Sequence, residues 1–261
     1  MKSNVMKKAL YAGLIASALA LAGCEADGNP AEGGGIGGGD PGSVFPNDGT
    51  TGGNITEGGT PIAGGNTGFN FICERSARAY GVPHSEVIAN GLVGGPLTTL
   101  LNLLGGNTAT RLLNSVVDQE LAIDGELETA SKFSLTVNLL SGLLSSVDQL
   151  ITLGGTAPVG SYAVFGVSFP TATLELSLLQ EVRVRTFLNG TQQETVALDA
   201  STLDLLGAVS VGDPRAFVGV KATKPWNAAS IGIDPIVISA NVGEAMFVHE
   251  LCTGGRLVTA P

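Results

Sequence analysis

Histidine and tryptophan are nearly missing from this chain: among 261 residues there are two histidines, one tryptophan and three cysteines, and aromatic side chains make up 5%. With so little imidazole and no C-x-x-C element, the sequence offers no zinc site and no dithiol redox centre. It also lacks G-x-S-x-G, H-E-x-x-H and G-x-x-x-x-G-K-[ST], the common signatures of a serine nucleophile, a metalloprotease zinc and a phosphate cradle. A hydrolase would need converging carboxylates or a Ser/His pair in a pocket, and neither is expected of His84 or His249. The chain reads as a non-enzyme. Basic residues are scarce too, 13 against 23 acids, for a formal charge of −10. Such a chain has no electrostatic footprint for nucleic acid, and anionic lipid head groups repel it. No apolar run reaches the roughly 20 residues of a membrane-spanning helix. Hydrophobic residues at 44% against 14% charged still suit a folded domain.

The start of the chain reads as a processing signal. Lys2, Lys7 and Lys8 precede an apolar core from Ala9 to Leu21, and Leu21-Ala22-Gly23-Cys24 closes it with small residues. That ending resembles the bacterial lipoprotein box. The resemblance implies cleavage before Cys24, lipid on its sulfur and new amino group, and a place in the cell envelope, the outer membrane of a Gram-negative bacterium. Losing the three signal lysines, with no acid among residues 1–23, takes the charge from −10 to −13. Each buried CH₂ of an acyl chain contributes roughly 0.8 kcal/mol, so several chains on one cysteine anchor the protein without a helix.

Residues 24–68 then read as a lipid-anchored, Gly-rich tether. They carry acids, no Lys or Arg and few large apolar side chains, too little to offset the entropy of ordering. As a coil they would span roughly 35 Å. A spacer held for its reach and one merely tolerated look alike in sequence. Cys73 and Cys252 are the remaining cysteines, and in an exported domain they invite a disulfide, the alternative being two separate buried thiols.

Residues 69–261 read as sheet. "TLELSL" (173–178), "EVRVRTF" (181–187) and "AFVGVKAT" (216–223) alternate apolar with polar side chains, and Asn189-Gly190 suits a two-residue hairpin turn. Further strands are predicted at Leu135–Leu140, Val147–Leu153, Tyr162–Phe169, Ile231–Ile238 and Ala245–Leu251, with Pro, Gly and Asp between them. Pro83–Asn114 reads as short helical turns or a long loop, the turns being preferred. Many short strands without long helices predict an all-β fold, an antiparallel β-sandwich or jelly roll.

"AIDGELETAS" (122–131) resembles the "A-[IV]-D-G-[ND]-x-x-T" turn of discoidin-like, galactose-binding-like jelly rolls, the fold of factor V/VIII type C domains and many carbohydrate-binding modules. The order Cys73, Asn114, Asp124-Gly125, Asn189-Gly190, "TKPWN" (223–227) and Cys252 is also similar to a group of bacterial surface domains ending in "KPF…VYxAC". What the discoidin-like resemblance implies is a structural calcium site with side-chain oxygens from Asp124 and Thr129 and a carboxylate from Glu244, Glu250 being the rival; the bland reading is a simple turn. It also directs attention to Trp226, either a ligand-stacking ring or a core plug. Two functions follow as expectations. One is a lipid-anchored envelope module binding a glycan or protein; the other is a structural lipoprotein whose sheet docks on another envelope component.

Overall fold

Alternation along "EVRVRTF" does what it predicts: Val182, Val184 and Thr186 are buried, while Arg183 and Arg185 between them are half-buried on the other face. The computed structural model describes residues 53–64, 67–91, 115–136, 144–170, 179–199, 215–235 and 241–260. Its strands are β1 (Gly53–Glu57), β2 (Thr60–Ala63), β3 (Phe69–Ser76), β4 (His84–Gly91), β5 (Val116–Val117), β6 (Ser131–Thr136), β7 (Leu144–Ala157), β8 (Tyr162–Ser168), β9 (Leu179–Leu188), β10 (Thr191–Asp199), β11 (Ala216–Lys221), β12 (Trp226–Pro235) and β13 (Asn241–Thr259).

They form two sheets. The larger runs β2-β1-β11-β8-β13-β6-β5, with β3 also paired to β13; the smaller runs β10-β9-β12-β7-β4. All pairings are antiparallel except β1 with β11. The main core lies between the sheets. Phe165, Val167, Val218 and Leu251 come from the larger sheet, and Ile151, Val184, Ile231 and Ile233 from the smaller. A second cluster, including Ile55, Phe71, Val164, Phe217 and the Cys73 and Cys252 side chains, sits on the other face of the larger sheet. The fold is the expected β-sandwich.

Polar residues join the layers. Gln149 on β7 accepts from Ser131 Oγ of β6 at 2.6 Å and donates to Ser85 Oγ of β4 at 2.9 Å, so one buried amide ties both sheets. Asn189 and Gly190 have φ of 50° and 78°, the left-handed pair that lets β9 return as β10 through two residues.

Two expectations are corrected. The tether does not extend to residue 68, because Gly53–Ala63 folds as a hairpin. Ile55 is fully buried in the second cluster, and β1 adds to the edge strand β11 in register from Gly53↔Phe217 to Glu57↔Lys221. Pairing a free sheet edge and covering Phe217 supplies what the Gly-rich composition alone could not. Within Pro83–Asn114, His84–Gly91 is a strand and not a helical turn, because Ser85 and Val87 face inward while the backbone pairs with β7. Among the described residues, short 3-10 turns lie before and after that segment, at Ala77–Tyr80 and Gln119–Ala122. Cys24, the signal segment, Asn114 and the strand expected at 173–178 lie outside the described residues, as do parts of the strands expected at Leu135–Leu140 and Ile231–Ile238. No described helix is long and apolar enough to cross a membrane.

Candidate functional site

β3 meets β13 antiparallel, from Cys252↔Ser76 to Thr259↔Phe69, so segments 179 residues apart become neighbours. Cys73 and Cys252 are joined there, with Cα atoms 5.7 Å apart and both side chains buried. Immediately beyond the sulfurs the register slips twice, at Cys252/Gly254 and at Gly254/Gly255. The glycines are required by close approach. A Cβ on Gly255 would come within 2.4 Å of the Ile72 carbonyl oxygen and the Phe71 ring, and one on Gly254 within 3.0 Å of Arg75 Cβ. These bulges bend β13 away from its partner.

The bend opens a groove of about 630 Å³. One wall is Glu74 and Arg75 of β3 with Tyr80 of the first 3-10 turn, another is Thr253–Gly255, and the third is the β7–β8 turn, Pro158–Tyr162. Ser161 holds that turn. Its Oγ donates to the Pro158 carbonyl at 2.6 Å and accepts from Trp226 Nε1 at 2.9 Å, while its backbone oxygen accepts from Ala222 N at 2.8 Å. Trp226 itself is fully buried in the main core. The ligand-stacking role entertained for it is therefore corrected: its ring is a plug, and its N–H fixes the turn that lines the groove.

Two tyrosines are among the residues that line the groove. Tyr80 is half-buried against the main core, and Tyr162 is half-buried with its ring 4.9 Å from that of Phe71. Burial raises the Tyr162 pKa above the usual phenol value, Lys221 opposing and Glu57 adding to the effect, so this hydroxyl is neutral at ordinary pH. The Glu74 carboxylate accepts from Arg256 Nε at 2.7 Å. The groove is thus mostly polar, has two tyrosines among its lining residues, and adjoins the strand segments that the disulfide joins.

The 122–131 stretch lies beside a second cavity of about 440 Å³, lined partly by Arg78, Val82, Leu121, Ile123 and Asp124. Asp124 and Thr129 meet as expected: Thr129 Oγ1 donates to Asp124 Oδ2 at 2.7 Å, and Asp124 Oδ1 accepts from Glu126 N at 2.9 Å. Glu244 does not join them; it is exposed and pairs with Ser134 of β6. This corrects the expected ligand set. The acid at the turn is its rival Glu250, whose Oε2 accepts from Gly125 N at 2.9 Å and whose Oε1 accepts from Ala77 N at 3.5 Å. The reason is register. β13 carries shifts between Glu244 and Met246 and again between Val248 and Leu251, and these re-aim its acids. Burial, with the nearby Asp124 charge adding to it, pushes the Glu250 pKa well above the usual carboxylate value; the Gly125 and Ala77 N–H groups and Arg78 act against that.

Thr129 Oγ1 also lies 3.4 Å from the Leu121 carbonyl oxygen and 3.3 Å from that of Glu126. Carbonyl, hydroxyl and carboxylate oxygens, the donor type calcium takes, thus meet at this turn, and both Glu250 oxygens already accept backbone N–H groups. Among the described residues no three His, Cys, Asp or Glu side chains gather as a metal site.

A Ser/His contact, not expected from the sequence, is present: Ser168 Oγ and His249 Nε2 lie 2.9 Å apart on β8 and β13. Neither residue lines either of the two cavities described above. Docking would call for a broad flat apolar patch. The exposed large apolar side chains among the described residues are Phe69, Val82, Val117 and Val159, on four separate segments.

No family model matches the chain, and no curated protein does. Among solved structures it is similar to a family 32 carbohydrate-binding module from C. perfringens NanJ in complex with galactose, at 11% identity over 67% of this chain and 93% of that one, with a TM-score of 0.31. It is also similar to a family 32 module from a family 31 glycoside hydrolase of Clostridium perfringens, at 13% identity over 53% and 82%, TM-score 0.30. The C-terminal domain of a chitobiase from Bacteroides fragilis is similar at 13% identity over 74% and 97%, TM-score 0.33. Likenesses at this level do not say what this chain binds.

Proposed function

We propose that the protein is a non-catalytic saccharide-binding module, held at the cell envelope by lipid on Cys24. The observation that carries this is the groove beside the disulfide-linked strands, which Tyr80 and Tyr162 help to line next to the turn pinned by Trp226. Its volume is within the range of roughly 300–1,000 Å³ usual for ligand sites. Aromatic faces suit the C–H face of a pyranose, and neighbouring hydroxyl and backbone groups suit its hydroxyls. A glycan array followed by calorimetry tests the reading, using full-length chain with Cys24→Ser to keep it soluble. A truncation must begin before Gly53, since β1 is part of the larger sheet. Binding should appear, and Tyr80→Ala should weaken it about tenfold, near 1.4 kcal/mol. A blank array, or binding that Tyr80→Ala leaves unchanged, removes the groove from consideration.

Calcium belongs to this proposal as a structural ion held by Asp124, Thr129 and Glu250. Bound there, it would supply positive charge to two adjacent acids and tie the 122–131 turn to β13. Stabilisation follows mass action, about 2.7 kcal/mol at 100 times the dissociation constant. Calcium is therefore expected to raise the melting temperature of the wild type by several degrees over a chelator-treated sample, and Glu250→Gln to abolish that response. Glu244→Gln should keep it. An unchanged wild-type melt on calcium addition excludes the ion.

A further inference from the structure

Charge in the groove is uneven. Glu74 is the only acid on its walls, and Arg256 already neutralises it at 2.7 Å. Arg75, the groove's cation, is exposed, and its guanidinium has no hydrogen-bond or ion-pair partner among the described residues. Most other cations of the described chain are committed: Arg185 to Asp148, Arg215 to Glu128, Lys221 to Glu57, and Arg78 to the Ile123 carbonyl. An uncompensated guanidinium in a cleft is notable on a chain with 23 acids and 13 bases. Its stem lies against the bulge, since a Cβ on Gly254 would lie 3.0 Å from Arg75 Cβ and 3.4 Å from Nε.

We propose that the groove selects carboxylate-bearing saccharides, uronic or sialic acid glycans, and that Arg75 reads the carboxylate. This rests on the saccharide-binding reading above and adds the class of sugar. A planar guanidinium offers two parallel N–H donors that match a carboxylate, and such charge-assisted bonds are the stronger ones. The tyrosine rings hold the pyranose, and the arginine sorts acids from neutral sugars. A neutral sugar leaves Arg75 solvated and gains nothing from it.

The test compares each acid with its own uncharged form at fixed ionic strength, on the full-length Cys24→Ser chain. An oligogalacturonate is set against its methyl ester, which keeps ring and linkage but loses the charge, and sialyllactose is set against its own methyl ester. The expected result is at least tenfold tighter binding of one acid over its neutral counterpart; which pair responds separates uronic from sialic sources. Arg75→Gln should reduce that ratio to within twofold with an unchanged melting temperature, and Arg75→Lys should restore part of it. Tyr80→Ala should weaken acid and neutral forms alike. Equal binding of acid and neutral forms, or a preference that survives Arg75→Gln, overturns the carboxylate assignment while leaving saccharide binding in place. No binding to any of the four probes or to a broad glycan array overturns both.

Discussion

Replacing Cys73 and Cys252 together with alanine should lower the melting temperature by about 10–20 °C and abolish binding in the groove. The bridge closes a loop with a sequence separation of 179, and on the chain-entropy model a loop of that size restricts the unfolded chain by about 5 kcal/mol. At roughly 2–4 °C per kcal/mol for a domain of this size, the shift is large. Binding suffers for a separate reason. Glu74–Arg75 follow Cys73 directly, and Thr253–Gly255 follow Cys252, so the sulfurs clamp two of the three walls. Among the described residues β3 has no ladder partner other than β13 and would peel from it readily. Calorimetric melting and titration on the same variant check both halves. A melt within about 3 °C of wild type would mean that the ladder alone holds the segments together.

Trp226→Ala should cost about 4 kcal/mol, in the range for removing a large buried ring. The indole is completely enclosed, and the cavity left would lie between β12 and the β7–β8 turn. Trp226→Phe separates structure from positioning. It keeps most of the volume but leaves Ser161 Oγ without its donor, a loss of about 1 kcal/mol. The expected outcome is a melt lowered by only a few degrees with affinity reduced more than that change explains, because the Pro158–Ser161 turn loses one of its ties. Unaltered affinity in the phenylalanine variant would show that the turn does not depend on the indole. Urea denaturation and calorimetric titration supply the two numbers.

The sandwich was legible because strand alternation is a local pattern, as in Val182-Arg183-Val184-Arg185, and because Asn-Gly names its own turn. The meeting of the Cys73 and Cys252 segments followed from a leftover pair of cysteines near the two ends of the domain. What escaped was the hairpin at Gly53–Ala63. Ile55 and Ile62 flank Glu57-Gly58-Gly59, a turn signal between apolar residues, but the surrounding glycine masked it as linker. Choosing Glu244 over Glu250 failed because the bulges of β13 are not written in its alternation. The groove was invisible for a different reason: three separated stretches build it, and Gly254-Gly255 was the one mark in the sequence that backbone would bend there.

The larger sheet places β13 between strands made before it: β3, β6 and β8 all precede it in the chain, and all three pair with it. Until that ribbon is synthesised, half of the architecture has no centre to assemble on. A polypeptide so arranged can complete its larger sheet only when its final strand has been made.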